Sequence, residues 1–210
     1  MVPLRVIVLT SHPVPGIEEL LRDPNREAVY ELAAVISNEI ADEQQIIDLN
    51  ADYLVLAGYR HPIPARLFAL FPMRILKLHD SVFEALYDGA NETRSSMSFL
   101  TDDGKEPLFL LGAPYAVAAI ARDARAWGDA GLLNDYAELH RRWMIRATWG
   151  PMFARAIEFL AAGTVQIIHD VAWIDGAPGP CRLGSAPSLC HAVEETIDPS
   201  IPATCPLIRA

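Results

Sequence analysis

The sequence predicts an α/β fold with a mostly parallel central sheet and helices on both faces. Three observations carry this. Over the first 80 residues, short β-branched apolar runs alternate with helix-like segments, the pattern of strands joined by crossover helices. A hairpin-like pair of strands follows at 95–112. Beyond 115 the chain turns helical, with apolar residues three and four apart.

Taken in order, "LRVIVLT" (4–10) reads as a central strand, and residues 17–23 fit a short helix after Gly16. "VYELAAVISN" (29–38) is a second strand, "ADEQQIIDLN" (41–50) a helix and "ADYLVLAG" (51–58) a third strand. "IPARLFALF" is a short helix with Pro64 in its first turn. "RILKLH" (74–79) is the fourth strand. "SSMSFLT" (95–101) and "EPLFLLG" (106–112) are two more, joined by the turn "DDGK". "AIARDARAWGDAG" and the stretch from Leu132 to Gly163 are helical. Gly150 and Pro151 predict a kink or break near Trp149. "VQIIHDVAWIDG" (165–176) returns to strand character.

The 210 residues predict one domain over 1–176, with a helical insertion at about 113–134 and an irregular tail over 177–210. A net charge of −10 argues against a broad nucleic-acid surface, which needs clustered Lys and Arg. "MVPLRVIVLTSHP" reads as a core strand, too short to cross a membrane, so a cytoplasmic protein is expected. Cys181, Cys190 and Cys205 are separated by eight and fourteen residues, not as the tight pairs that hold zinc, so no metal site is expected. The apolar strands and Trp-rich helix offer a homodimer face that nothing in the sequence requires.

Ligands on such sheets bind beyond the carboxyl ends of the strands. Three segments should meet there: 11–16, 59–64 and 77–81. The last lies in "RILKLHDS", where the strand period of two puts Lys77 and His79 on one face, Leu76 and Leu78 on the other.

"AAVISN" and "DYLVLAGYRHPIPARLFALFPMRILKLHDS" resemble the folate-dependent formyltransferases of the glycinamide ribonucleotide transformylase type. In that family a strand ending L-A-G-[FY] precedes a folate-binding loop. A strand with the pattern N-x-H-x-S comes next, then a T-D stretch with an acidic loop, then a long closing helix. "SSMSFLTDD" is similar to the strand before the acidic loop, and "PMFARAIEFLAAGTV" to the closing helix. The resemblance covers roughly residues 4–112 and 135–166.

The resemblance implies a formyltransferase-like, Rossmann-type three-layer fold and 10-formyltetrahydrofolate as co-substrate. It makes His79 the catalytic histidine and Ser81 the serine, and it places folate at Arg60, His61, Pro62 and Ile63, mainly through backbone groups. An amine attacking the formyl carbon needs donors for the oxyanion and a group to take its proton. Lys77 stands where the family has Asn. Its ammonium can polarise the formyl oxygen but lacks an amide's acceptor, and it would tend to lower the pKa of His79 by like-charge repulsion. In the acidic loop T-D-D-G-K-E-P, alignment on the proline gives Asp103 the catalytic acid's place, with Asp102 the fallback. Ungapped alignment gives Lys105. The first loop, "SHPVPG", lacks the family's glycine-rich phosphate cradle, and its two prolines donate no N–H. The acceptor is therefore expected to be a small amine other than glycinamide ribonucleotide, with His12 and Ser81 in the substrate pocket.

Simpler readings stand beside these. His79 could be satisfied by Asp80 or backbone, and Lys77 could form an ion pair with Asp103, Glu106 or Asp80. Asp103 could be an ordinary turn aspartate. Arg141, Arg142 and Arg146 would usually form a solvated helix face. A folate-binding protein without transfer, and a hydrolase passing the formyl group to water, are the rival functions.

Overall fold

A computed structural model describes residues 3–11, 17, 29–37, 40 and 42–183. The strands are β1 (Leu4–Thr10), β2 (Tyr30–Ser37), β3 (Tyr53–Ala57), β4 (Ile75–Asp80), β5 (Glu92–Thr93), β6 (Ser95–Phe99), β7 (Leu108–Leu111), β8 (Tyr115–Ala116), β9 (Val165–Ile168), β10 (Val171–Ile174), β11 (Ala177–Pro178) and β12 (Cys181–Arg182). The helices are α1 (Glu43–Asp48), α2 (Ala65–Leu70), α3 (Val82–Tyr87), α4 (Ala119–Trp127) and α5 (Ala130–Ala161). The expected helix over 17–23 and the tail from 184 lie outside the described residues.

The main sheet has seven strands in the order β12-β7-β6-β4-β3-β1-β2. β1, β2, β3 and β4 are mutually parallel, and β6 alone runs against its neighbours. This is the predicted mostly parallel sheet. Residues 177–183, expected to open an irregular tail, contribute β11 to a small sheet with β9 and β10, and β12 to the main sheet beside β7. The apolar run of β1 follows from its place in the middle: Val6, Ile7, Val8 and Leu9 are all fully buried, in alternation against the two faces.

Two layers cover the sheet. On one face α1 and α2 bring Ile46, Leu67 and Phe71 against Ile7, Leu9, Leu54 and Ile75. On the other, α5 lays Trp149, Met152, Phe153, Ala156 and Ile157 against Val8, Val55, Leu76, Leu78 and Met97. A third cluster joins α3, α4 and the first half of α5 through Val82, Leu86, Ala121, Leu133 and Ala137. The short helix α3 and the β5–β8 pair carry too few residues for a readable period, and the sequence does not announce them.

Of the kink or break expected near Trp149, the break is absent: α5 runs continuously through Pro151 for 32 residues. Pro151 is exposed, so the ring and the carbonyl it frees face outward. Trp149, Met152 and Phe153 keep the opposite side buried, and that packing outweighs the lost hydrogen bond.

Polar groups buried along α5 are satisfied in chains. His140 is 2% exposed. Its Nδ1 lies 3.0 Å from the Tyr136 hydroxyl and its Nε2 2.7 Å from Thr93 Oγ1. Tyr136 Oη also accepts from the Ala118 N–H, and Thr93 Oγ1 reaches Met144 Sδ at 3.3 Å and the Tyr115 carbonyl at 3.5 Å. A neutral imidazole completes this chain, and burial holds the His140 pKa down at about 4.

The sign of the pH effect follows. Below pH 6.5 the unfolded chain binds a proton at this site that the folded chain refuses until about pH 4. Stability therefore falls as pH drops through that window, by roughly 3 kcal/mol when complete. Denaturant titrations at several pH values should show this loss, and His140→Gln should flatten it. An equally steep slope in the variant would assign the loss to other groups.

Candidate functional site

The carboxyl ends of three strands align. Thr10 pairs with Ala57, and Ala57 with Leu78, so Ser11, Gly58 and His79 stand one residue beyond a common row. Two of the segments expected to converge do so here: the Arg60 N–H donates to Ser11 Oγ at 3.0 Å. This lies at the point where chain order reverses about β1, the position at which open α/β sheets bind ligands. His12 and the rest of 12–16 lie outside the described residues.

Gly58 turns the chain out of β3 with φ +65°, a conformation that disfavours side chains. A Cβ there would also come 3.3 Å from the Trp149 ring. The loop then presents Arg60 and Pro62 to solvent, with His61 edge-on to Tyr59 and Ile63 packed toward the Leu67 cluster. The conjectured folate loop is thus anchored at both ends and open along its outer edge.

On β4 the alternation holds. Leu76 and Leu78 enter the core under α5, whereas Lys77 is half-buried and His79 exposed. β6 extends this polar row, because His79 pairs with Ser96 and Lys77 with Ser98. Lys77 Nζ meets Glu106 Oε1 at 2.6 Å, and Ser98 Oγ reaches Glu106 Oε2 at 3.5 Å. Of the ion-pair partners open to Lys77 in the sequence, Glu106 is therefore the one it takes.

Asp103 is held within its own turn. It accepts hydrogen bonds from the Thr101 hydroxyl and the Lys105 N–H, and it pairs with Lys105 Nζ at 2.9 Å. The Thr101 bond first, then those of Lys105, hold its carboxyl down at about 2. Lys105 also reaches Asp170 at 2.8 Å, tying the turn to the β9–β10 hairpin, and its own pKa is raised by both carboxylates. The turn follows Phe99, which pairs with Leu76, whereas His79 sits opposite Ser96. Among the described residues, no hydrogen bond joins His79 to Lys77 or to Asp103. Asp102 is exposed in the same turn.

Asp80 does not partner His79, because it points to the opposite face. There the Arg141 Nε donates to both Asp80 oxygens at 3.1 and 3.0 Å, with side-chain exposures of 18% for Arg141 and 10% for Asp80. The expected solvated face of Arg141 is thereby corrected. Arg141 lies four and eight residues before Ile145 and Trp149, on the buried stripe of α5, and that spacing was the available signal. Arg142 and Arg146 are exposed. Ser81 precedes α3, but its hydroxyl makes no cap bond to the helix.

Beside Asp80 and on the same face, Ser95 forms a second chain. It accepts from Trp149 Nε1 at 3.1 Å and lies 2.8 Å from Thr148 Oγ1, which donates to the Met144 carbonyl. Single polar residues inside apolar runs were the only sequence trace of this network. No group of three or more His, Cys, Asp or Glu able to hold a metal occurs among the described residues. Among them, too, no helix is long and apolar enough to cross a membrane.

No family model matches the chain, and no curated protein matches it significantly in sequence. Solved structures do match in fold. Phosphoribosylglycinamide formyltransferase from Anaplasma phagocytophilum matches with a TM-score of 0.66 at 16% identity, over 88% of this chain and 100% of that one. Glycinamide ribonucleotide transformylase 1 from Symbiobacterium toebii gives 0.64 at 20% identity, over 82% and 94%. A formyltetrahydrofolate deformylase from Pseudomonas putida gives 0.60 at 14% identity, over 82% and 70%. The chain has a formyltransferase-like fold.

The Asp80–Arg141 pair yields a stability prediction. Arg141→Met should leave a buried carboxylate uncompensated and destabilise the fold by roughly 3 kcal/mol, and adding Asp80→Asn should recover much of the loss. Urea denaturation of the single and double variants checks this, and no recovery in the double variant would count against a direct coupling.

Proposed function

We propose that this protein transfers the formyl group of 10-formyltetrahydrofolate to a small amine other than glycinamide ribonucleotide. The observation that carries the reading is the place of His79: exposed on β4, one residue beyond the aligned strand ends, on a formyltransferase-like fold. Folate would lie along Arg60, His61, Pro62 and Ile63. The acceptor would approach from the side of Ser81 and His12.

In this reading the acceptor nitrogen forms a bond to the formyl carbon and loses a proton to the His79 imidazole. The bond from that carbon to the folate N10 then breaks, and the proton passes to N10. Lys77 stabilises the oxyanion between these steps. Its ammonium has three donors, and Glu106 uses one of them, so pairing orients the charge without exhausting it. Asp103 stays ionised through the neutral range, so it is not a carrier of the proton, and its bonds to Thr101 and Lys105 keep it within its own turn.

A second reading, a folate-binding protein without transfer, is favoured by one observation. Lys77 stands where the resembled pattern has Asn, and its charge is tied to Glu106. The fold shared with a formyltetrahydrofolate deformylase gives water as a third acceptor to try.

The experiment is calorimetric titration with a stable 10-formyltetrahydrofolate analogue, on the natural chain and on Lys77→Asn, followed by assays for amine formylation and formate release. Binding by the natural chain with formylation of an amine is the expected result. His79→Asn should keep binding and slow turnover about 10²- to 10⁴-fold. Formate release without an amine would make the protein a hydrolase, and binding without either reaction would establish the second reading. No binding by either form would overturn the folate assignment.

A further inference from the structure

A cavity of about 290 Å³ lies between α3, the turn after it and α4. It shares no lining residue with the site at the end of β4. Its floor is apolar: Leu86, Val117 and Ala121 are buried members of the third hydrophobic cluster. Its rim is cationic. Arg122 and Arg125 stand three apart on α4, on one side of the helix.

These two arginines have no acidic partner within ion-pair distance among the described residues. Elsewhere among the described residues Arg5, Arg66, Arg94 and Arg155 take one, whereas the exposed Arg60, Arg142 and Arg146 do not; what sets Arg122 and Arg125 apart is that both line one cavity. Among the described residues the Arg122 guanidinium has a single hydrogen bond, to Asn91 Oδ1 at the outer limit of 3.5 Å. Arg125 lies directly over Gly89, where a Cβ would come 1.3 Å from its Nη1. Gly89 holds φ +81°, a left-handed conformation that itself favours glycine, and the Arg125 guanidinium lies against it at the cavity's edge.

We propose that this cavity binds a small organic carboxylate, with its apolar body on Leu86, Val117 and Ala121 and its carboxylate held by Arg122 and Arg125. The volume has room for roughly ten water-sized groups at about 30 Å³ each. A planar guanidinium matches a carboxylate in two parallel hydrogen bonds. A bare phosphate would use the rim and leave the apolar floor uncovered. An uncharged molecule would cover the floor and leave both guanidiniums unused.

The test is a titration of the full chain at low ionic strength, followed by calorimetry, with 3-phenylpropionate, 3-phenylpropionamide and inorganic phosphate. The carboxylate should saturate, with the amide and phosphate each about tenfold weaker or more. Arg122→Met and Arg125→Met should each weaken the carboxylate by about tenfold. Both side chains are exposed, so their thermal midpoints should stay close to that of the natural chain. Failure to saturate, equal binding of the amide, or unchanged affinity in both arginine variants would overturn the proposal. Equal binding of phosphate would overturn the part assigned to the apolar floor.

Discussion

The indole of Trp149 holds three parts of the molecule in one place. Its N–H is bound to Ser95 on β6, its ring lies beneath Gly58 at the end of β3, and its backbone belongs to α5. A fully buried donor must be matched or it costs the protein its desolvation. Ser95 matches it and passes its own proton to Thr148, whose proton ends on a helix carbonyl. The register of α5 against the sheet is thereby set by directional bonds as well as by apolar contact. The loop from Gly58 to Ile63 inherits its position from that register.

Eight residues earlier on the same helix, Arg141 fixes the end of β4 through Asp80. The two faces of β4 then have separate duties. Leu76, Leu78 and Asp80 attach the strand to α5, which leaves Lys77 and His79 on the other face, beyond the cover of that helix. A polar row on a central strand would ordinarily be an error of patterning. Here it is tolerated because the row faces outward, and its partly buried charge, Lys77, is matched by Glu106 from across the sheet.

The fold was legible because it is a matter of period. The runs 4–10, 51–58 and 74–79 alternate with amphipathic segments, and Leu76, Lys77, Leu78 and His79 sort to their faces by the strand repeat alone. What escaped depends on partners far apart in sequence. Asp80 and Arg141 are 61 residues apart and Ser95 and Trp149 54 apart, and neither residue of each pair is distinctive alone. Pro151 misled for a related reason. A local rule against proline in helices was overridden by the burial of Trp149, Met152 and Phe153 on the far side of the same turn. The candidate site falls between these cases. Its histidine and its loop could be placed from strand ends, but the partner of Lys77 could only be left as a choice among three carboxylates.

That choice bears on the chemistry. Had Lys77 taken Asp103, the acid assigned to the site by sequence would have been spent on neutralising the lysine. With Glu106 in that role, Asp103 is instead bound into its turn by Thr101 and Lys105, and Lys105 is braced by Asp170. The turn is thus built from its own charges, and its geometry does not depend on His79. A site with this arrangement has a lysine oriented by one carboxylate and a histidine whose ring is left unconstrained by either acid. If the proposed transfer runs here, the acceptor itself has to supply the contact that orients His79. Selectivity for the acceptor and activation of the base would then be the same event, since a molecule that fails to reach the imidazole leaves it undirected.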